Sequence, residues 1–315
     1  MYSEKSICVV VPAHNEETQI QKVLETMPAY VDEIVVIDDA SSDATVANVQ
    51  KSAAMDARIS LIEHERNQGV GGSVASGYKY ALKHGYDVTV VMNGDGQMDP
   101  RDLESIILPI VNNEADYTKG NRLFYGDAWQ IIPRHRYLGN SFLSLFTKIA
   151  SGYWHIADSQ SGFTAISLLA LKRLDLDDIY RDYGMPNDIL IKLNMYDFPV
   201  RDIHIRPIYN VGEKSGIRLS KVIPKISYLL VKGFCKRLVF KYVIKDFHPL
   251  IFFYLLSILL LLSSLPLAIR LVCIWAASGN IPDMNALLLI FTLISGLQTL
   301  FFAMWFDMEK NKDLK

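Results

Sequence analysis

A chain of 315 residues, half of them apolar and with a net charge of only −2, can bury the core of one large domain and still have sequence left over. Its near-neutral balance gives no reason to expect nucleic acid as a partner. Three cysteines, Cys8, Cys235 and Cys273, lie far apart without metal-ligand spacing, which excludes a disulfide framework and points to reduced packing residues.

In chain order, Ser6 to Val11 reads as an apolar strand ending at Pro12-Ala13-His14-Asn15-Glu16-Glu17, after which Ile20, Val23, Leu24 and Met27 recur at helical spacing. A second strand, Glu33 to Ile37, ends at the carboxylate pair Asp38-Asp39 followed by helix-capping residues. A third runs from Arg58 to His64, and Asn67 to Ser73 leads into a helix over Val74 to Lys83. The glycines at 69, 71 and 72 lack the order of a nucleotide-binding loop, so close helix packing is the expected reason for them rather than a phosphate cradle.

Asp87 to Met92 carries β-branched residues on both faces, as a central parallel strand does, and stops at Asn93-Gly94-Asp95-Gly96-Gln97. Asp99-Pro100 then opens a helix as N-cap and first helical residue. Asp95, the Gln97 amide and Asn93 supply oxygens that can hold a hard divalent cation against a diphosphate, the alternative being an Asx-rich turn with no ligand. Further on come a helix through Leu103, Ile106, Ile107 and Ile110, a strand over Asp116 to Leu123, and a helix over Asn140 to Ala150. A strand-like Phe163 to Leu168, a helix from Asn187 through Tyr196 and an edge strand over Val200 to Tyr209 follow. The βα alternation predicts an α/β fold with a mainly parallel central sheet and helices on both faces.

The rest of the chain answers to a different solvent. Nine basic residues and no acid lie between Lys214 and Lys245, interleaved with Ile226, Leu230, Phe234 and Leu238 near helical spacing, which predicts basic amphipathic helices facing anionic head groups over 216–248. Residues 249–277 hold one charge, Arg270, and 286–306 hold none, so each is long enough to cross a hydrocarbon core of about 30 Å. Two transmembrane helices are expected there, with a tail over 307–315, and Arg270 is placed at the far interface. The first residues show no signal-peptide profile, so domain 1–215 is expected on the cytoplasmic face of a cell membrane, and the two spans have faces suited to homo-oligomer contact.

The segments Val11-Pro12-Ala13-His14-Asn15-Glu16-Glu17, Asp38-Asp39-Ala40-Ser41-Ser42-Asp43, Asn93-Gly94-Asp95-Gly96-Gln97 and Asp158-Ser159-Gln160-Ser161-Gly162-Phe163, in this order, resemble those of family 2 glycosyltransferases of the GT-A fold. More narrowly the chain is similar to the polyprenyl-phosphate sugar transferases, the branch typified by dolichyl-phosphate mannose synthase. The resemblance implies that Pro12, His14, Glu16, Ile37 and Asp39 surround the nucleoside of a UDP- or GDP-linked sugar. It places Asn93, Gly94, Asp95 and Gln97 on the Mg²⁺ or Mn²⁺ and diphosphate site, Arg122 and Arg136 on the acceptor phosphate, and Asp158 at the head of its own motif. Two departures stand out: Asn93 replaces the first aspartate of the metal motif, and Tyr209 to Ser215 lacks the arginine of a late basic motif, leaving Lys214, with Arg206 as a substitute, to reach a phosphate.

The implied reaction is inverting transfer of a sugar to a polyprenyl phosphate of undecaprenyl or dolichyl type. A phosphate monoester is already an anion at neutral pH, so cations to hold it matter more than a base. Asp158 is then an orienter of the arginines, a base or a metal-side ligand, and Asp188 is a weaker candidate base. The competing readings are a transferase with a glycan or lipid hydroxyl acceptor, which needs a carboxylate base, and a degenerate membrane scaffold.

Overall fold

The computed structural model describes residues 1–124, 126, 128–208 and 219–315, without the side chains of His135, Arg136 and 219–221. In chain order the elements are β1 (Ile7–Ala13), α1 (Ile20–Glu25), β2 (Glu33–Asp38), α2 (Thr45–Ala53), β3 (Ile59–Glu63), α3 (Val70–His84) and β4 (Val88–Val91). They continue with α4 (Leu103–Val111), β5 (Tyr117–Asn121), α5 (Ala128–Ile131), α6 (Arg134–Ser151), β6 (Thr164–Ser167), α7 (Leu168–Arg173), α8 (Met185–Met195) and β7 (Val200–His204). The last helices are α9 (Leu219–Val239), which runs into a π-helical turn at Phe240–Lys245, α10 (Leu250–Ser278) and α11 (Asp283–Lys310). They fall into two compact units, residues 1–235 with 313–315, and residues 236–312.

The first unit is built on a seven-stranded sheet of order β3-β2-β1-β4-β6-β5-β7. Strands β3, β2, β1 and β4 run parallel, and β7 runs parallel to β5. β6 is antiparallel to both neighbours, Val90 pairing with Ala165 and Thr118 with Ala165, so the sheet is mixed at that point. Strand residues point to opposite faces in alternation. Ile7, Val9 and Val11 therefore join Ile20, Leu24, Ile106 and Ile110 in one buried layer, and Cys8 and Val10 join Val74, Tyr78, Ile189 and Leu190 in the other. Chain order reverses between β1 and β4, which makes the gap beyond their carboxyl ends the crevice in which open α/β sheets bind ligands.

The helix α3 starts earlier than the sequence pattern indicates because its glycines are a packing surface. A Cβ on Gly71 would lie 2.0 Å from the Tyr180 carbonyl oxygen, and the Gly71 amide donates to the Arg181 carbonyl at 2.9 Å. Close backbone approach, and not a phosphate cradle, accounts for the sequence here. Asp99 caps the next helical segment: its side chain accepts from the Arg101 amide, with Pro100 at the first position.

In the second unit α10 and α11 are long and apolar enough to cross a membrane. Their burial is inverted relative to the sheet unit. Leu255, Leu259, Leu262 and Phe301 face outward, whereas Ser257, Ser264, Thr292 and Gly296 are turned inward. Gly296 brings α11 against Leu260 and Leu261 of α10, the small-residue packing that apolar helices use. Arg270 is exposed in the last third of α10.

Two basic residues of the 216–248 segment do not face outward as the sequence pattern suggests. Arg237 is fully buried and forks onto Asp307, both N–H···O distances being 2.9 Å. Lys241 donates to Asn311, and Tyr242 and the Asn311 amide also bond Asp307. Asp307 is therefore no tail residue. It lies inside α11 as the acceptor of a closed polar cluster, and pairing satisfies charges that burial alone would make prohibitive.

Candidate active site

Three parallel strand tips carry the residues expected on the donor side. Pro12 is in register with Ile37 and Ala13 with Asp38, while the Asp39 amide donates to Ala13 at 2.8 Å and the Gly94 amide to Pro12 at 3.0 Å. The His14 ring nitrogen lies 2.8 Å from the Asp39 carbonyl. Pro12, His14, Ile37, Asp39 and Gly94 are thus gathered at neighbouring strand tips, and Asn93 and Asp95 flank Gly94 just past β4. The two loops after β1 and β2 are laced together, the Ser42 amide donating to Asn15 and the Glu16 amide to Thr45.

Asp39 is already engaged. Its carboxylate accepts from the Gln68 amide at 2.8 Å and the Gly69 amide at 2.9 Å and sits 2.8 Å from a ring nitrogen of His64. The other His64 nitrogen is 2.9 Å from the Ser76 hydroxyl. Asp39 therefore organises the loop between β3 and α3, which leaves little of its carboxylate for a nucleoside. Its neighbour Asp38 differs: one oxygen accepts from the Ser41 amide at 3.0 Å, and the other, Oδ1, is buried without a partner among the described residues. Asn93 Oδ1 is buried and unpartnered in the same way. Orphaned acceptors of this kind at a strand tip fit a missing donor or cation.

The metal-side residues carry little charge of their own. Asp95 accepts from the Gln97 amide at 3.0 Å, and Asn93 and Gln97 offer only amide oxygens. Among the described residues no group of three or more His, Cys, Asp or Glu is placed to hold a metal ion. Yet the site is electronegative. Glu16 is pushed up to about 7 by burial, then by the charges of Asp95 and Asp43. The orphaned Asn93 oxygen beside Asp95 therefore fits a divalent cation, with most of its ligands left for diphosphate and water.

The residues expected at the acceptor are built around one ion pair. Arg122, just past β5, donates through Nε to Asp158 Oδ2 at 2.7 Å and through Nη2 to Oδ1 at 3.2 Å. Burial pushes the Asp158 carboxyl up, but the charge and hydrogen bonds of Arg122, with Lys119 behind, more than offset it and hold it below the usual carboxylate range. A carboxylate so held orients an arginine and is a poor base. Gly162 lets this loop meet the donor loop: a Cβ there would lie 3.3 Å from Met98 and 3.5 Å from the Asn93 amide nitrogen. Asp188 receives Lys192 Nζ at 2.7 Å and the Tyr180 amide at 3.0 Å, a structural arrangement within α8 and the loop before it. Arg206 is exposed, its amide on Asp102. Lys214, the 209–215 motif and the Arg136 side chain lie outside the described residues.

A buried lysine and a half-buried aspartate beside the pair escape sequence reasoning. Lys119 is wholly buried in β5, with its ammonium on the Ser161 carbonyl, and burial pushes it down to about 7. Asp202 in β7 accepts from the Asn121 amide at 2.6 Å and the Ala157 amide at 3.2 Å, and burial pushes it up to about 6. A lysine or aspartate in a strand reads as an outward residue unless its cross-strand neighbours are known.

The model of the glycosyl transferase family 2 domain matches residues 8–175, from β1 through the start of the loop after α7. The chain belongs to this family. It is a glycosyltransferase with a GT-A-like α/β domain, and its relatives act on polyprenyl phosphates. It is 32% identical over 64% of its length to a UDP-N-acetylglucosamine–dolichyl-phosphate N-acetylglucosaminyltransferase of Methanococcus voltae, covering 87% of that protein. It is 28% identical over 59% of its length to an undecaprenyl-phosphate mannosyltransferase of Micrococcus luteus, covering 76% of it. Among solved structures, the UDP complex of glucosyl-3-phosphoglycerate synthase from Mycobacterium tuberculosis superposes with a TM-score of 0.55 at 18% identity, over 75% of this chain and 80% of that one. The same synthase is also solved with Mn²⁺ or Mg²⁺ and UDP.

Proposed function

We propose that this family 2 glycosyltransferase moves a sugar, with inversion, from a nucleotide sugar to a polyprenyl phosphate at the cytoplasmic face of a membrane that α10 and α11 span. The supporting observation is the two-point lock of Asp158 onto Arg122. A hydroxyl acceptor needs a base, and the carboxylate heading the acceptor motif is committed to an arginine; a phosphate acceptor needs that arginine and no base. The relatives that act on dolichyl and undecaprenyl phosphate favour the same acceptor class.

In the reaction a phosphate oxygen of the lipid forms a bond to the anomeric carbon from the face opposite the leaving group. The bond from that carbon to the diphosphate oxygen breaks, and its electron pair leaves with the nucleoside diphosphate. Arg122, held rigid by Asp158, brings the acceptor phosphate up and screens its repulsion from the diphosphate. Asp38 Oδ1, a buried acceptor without a partner among the described residues, takes a nucleoside N–H or O–H, and His14 and Pro12 shape the same edge. A bound Mg²⁺ or Mn²⁺, held by Asp95 with the Asn93 and Gln97 amide oxygens, supplies Lewis-acid neutralisation of the leaving diphosphate. Lys225, Lys232 and Lys236, exposed on α9, face anionic lipid.

The test is incubation of the purified full chain with labelled UDP- and GDP-sugars and short polyprenyl phosphates, followed by extraction of the lipid. The expected product is a sugar phosphodiester of the polyprenol. Transfer to polyprenols or glycans with none to the phosphates would sink the reading.

A further inference from the structure

A helix on a water-facing domain buries its large apolar side chains and exposes small and polar ones. Helix α6 does the reverse. Its inward residues are Ser144, Thr147, Ala150 and Ser151, none more than 3% exposed. They are held by polar contacts, Ser144 Oγ lying 3.1 Å from Ser159 Oγ and Thr147 Oγ1 donating to Asn187 Oδ1 at 3.0 Å. Its outward residues are Leu138, Phe142, Leu145 and Phe146, 46 to 65% exposed. The spacing makes one stripe, and the rings of Phe142 and Phe146 meet edge to face at 5.1 Å.

Charge narrows what covers that stripe. The helix carries Arg134, His135, Arg136 and Lys148 and no acid. Just before it, the exposed Trp129 has the Arg134 guanidinium 5.7 Å from its ring centre, a pairing suited to the boundary between water and hydrocarbon. A second copy of the chain is disfavoured, since antiparallel self-pairing of α6 sets Arg134 of one copy against Lys148 of the other and parallel pairing sets each against itself. An anionic lipid surface satisfies both the apolar stripe and its basic flanks.

We propose that α6 is a membrane-docking helix, lying in the interface of an anionic bilayer with Leu138, Phe142, Leu145 and Phe146 among the acyl chains. The inference rests on the membrane and acceptor reading given above and adds where the lipid arrives. α6 adjoins the acceptor grip at two points: the Ser159 amide, next to Asp158, donates to Ser144 Oγ at 3.0 Å, and the Tyr137 hydroxyl donates to the carbonyl of Leu123, next to Arg122. A bilayer against α6 therefore presents lipid phosphates beside Arg122.

The test uses the full chain with Cys235→Ser and Cys273→Ser, reconstituted in mixed phosphatidylcholine and phosphatidylglycerol vesicles. An NBD label is placed singly at Leu138→Cys, Phe142→Cys or Phe146→Cys, with Leu259→Cys on the outer face of α10 and Met55→Cys after α2 as references. With brominated acyl chains, the α6 labels are expected to lose about half their fluorescence, as the α10 label does and the Met55 label does not. Equal quenching at α6 and Met55, with iodide reaching both, overturns the proposal, as does efficient disulfide linking of two copies through Phe142→Cys. Three positions guard against one label unfolding the domain. Quenching at α6 without lipid product from any polyprenyl phosphate leaves the docking helix standing and removes the acceptor reading. Product without quenching does the opposite.

Discussion

The two units of this chain apply one rule with opposite signs. In the sheet unit the β1 and β2 side chains are mostly buried hydrocarbon and polar groups collect at the strand tips, while in the second unit leucines and phenylalanines of α10 and α11 face out and Arg237, Asp307, Tyr242 and Asn311 are interior. The inversion is what a change of surrounding medium from water to hydrocarbon is expected to produce in helices long and apolar enough to cross a membrane. Where the medium is apolar, packing an apolar face inward gains little, and small residues and satisfied polar clusters hold the interior. α6 is instructive because it follows the second rule inside the first unit.

The sharpest way to break the contrast is Asp307→Ala. Removing this carboxylate takes from the buried Arg237 guanidinium the charge that its two 2.9 Å bonds engage, at a cost on the order of 3–5 kcal/mol, whereas Arg237→Leu with Asp307→Leu is expected to be near neutral. Thermal unfolding in detergent of the two variants separates the outcomes. On the catalytic side, Asp158→Asn keeps the shape of the pair but loses its charge, so Arg122 loosens. Lipid-product formation is expected to fall about a hundredfold, about 2.7 kcal/mol, mainly through the acceptor KM and with little change in nucleotide affinity.

Asp202→Asn probes the half-buried acid beside that pair. Its folded pKa of about 6 lies above the unfolded value, so wild-type stability falls as pH rises from about 4 to 6 and stays low beyond. The amide variant is expected to be more stable by about 1–3 kcal/mol above pH 6 and to converge with wild type toward pH 4, as read by Tm across pH. The smallest effect belongs to Asn93→Asp. It adds the charge missing from the metal motif and should tighten Mn²⁺ binding about tenfold in calorimetry, near 1.4 kcal/mol. No change would move the ion away from the β4 tip.

The strand tips were legible in the sequence because each is a local signal: an apolar run that ends at Pro12, at Asp38-Asp39 or at Asn93-Gly94-Asp95 needs no partner to be recognised. The apolar spans were legible for the same reason. What sequence could not supply was pairing at a distance. The antiparallel insertion of β6 between β4 and β5 depends on contacts between residues far apart, as do the placement of Lys119 on Ser161 and the lock of Arg237 on Asp307. Arg237 stands among surface-type lysines in the sequence, and only its partner 70 residues on marks it as interior.

The grip on Asp39 has a further consequence for how such a pocket changes over generations. Two of its three clasps come from the main-chain amides of Gln68 and Gly69, and every residue but proline carries an amide. The side chain at 68 is thus released from the duty of holding the floor together. Substitutions at 68 are therefore expected to leave that clasp in place, whereas Gly69, at φ +79° and with a Cβ position 2.4 Å from the Arg181 carbonyl oxygen, is not free to vary, so tolerance and constraint stand side by side in one loop.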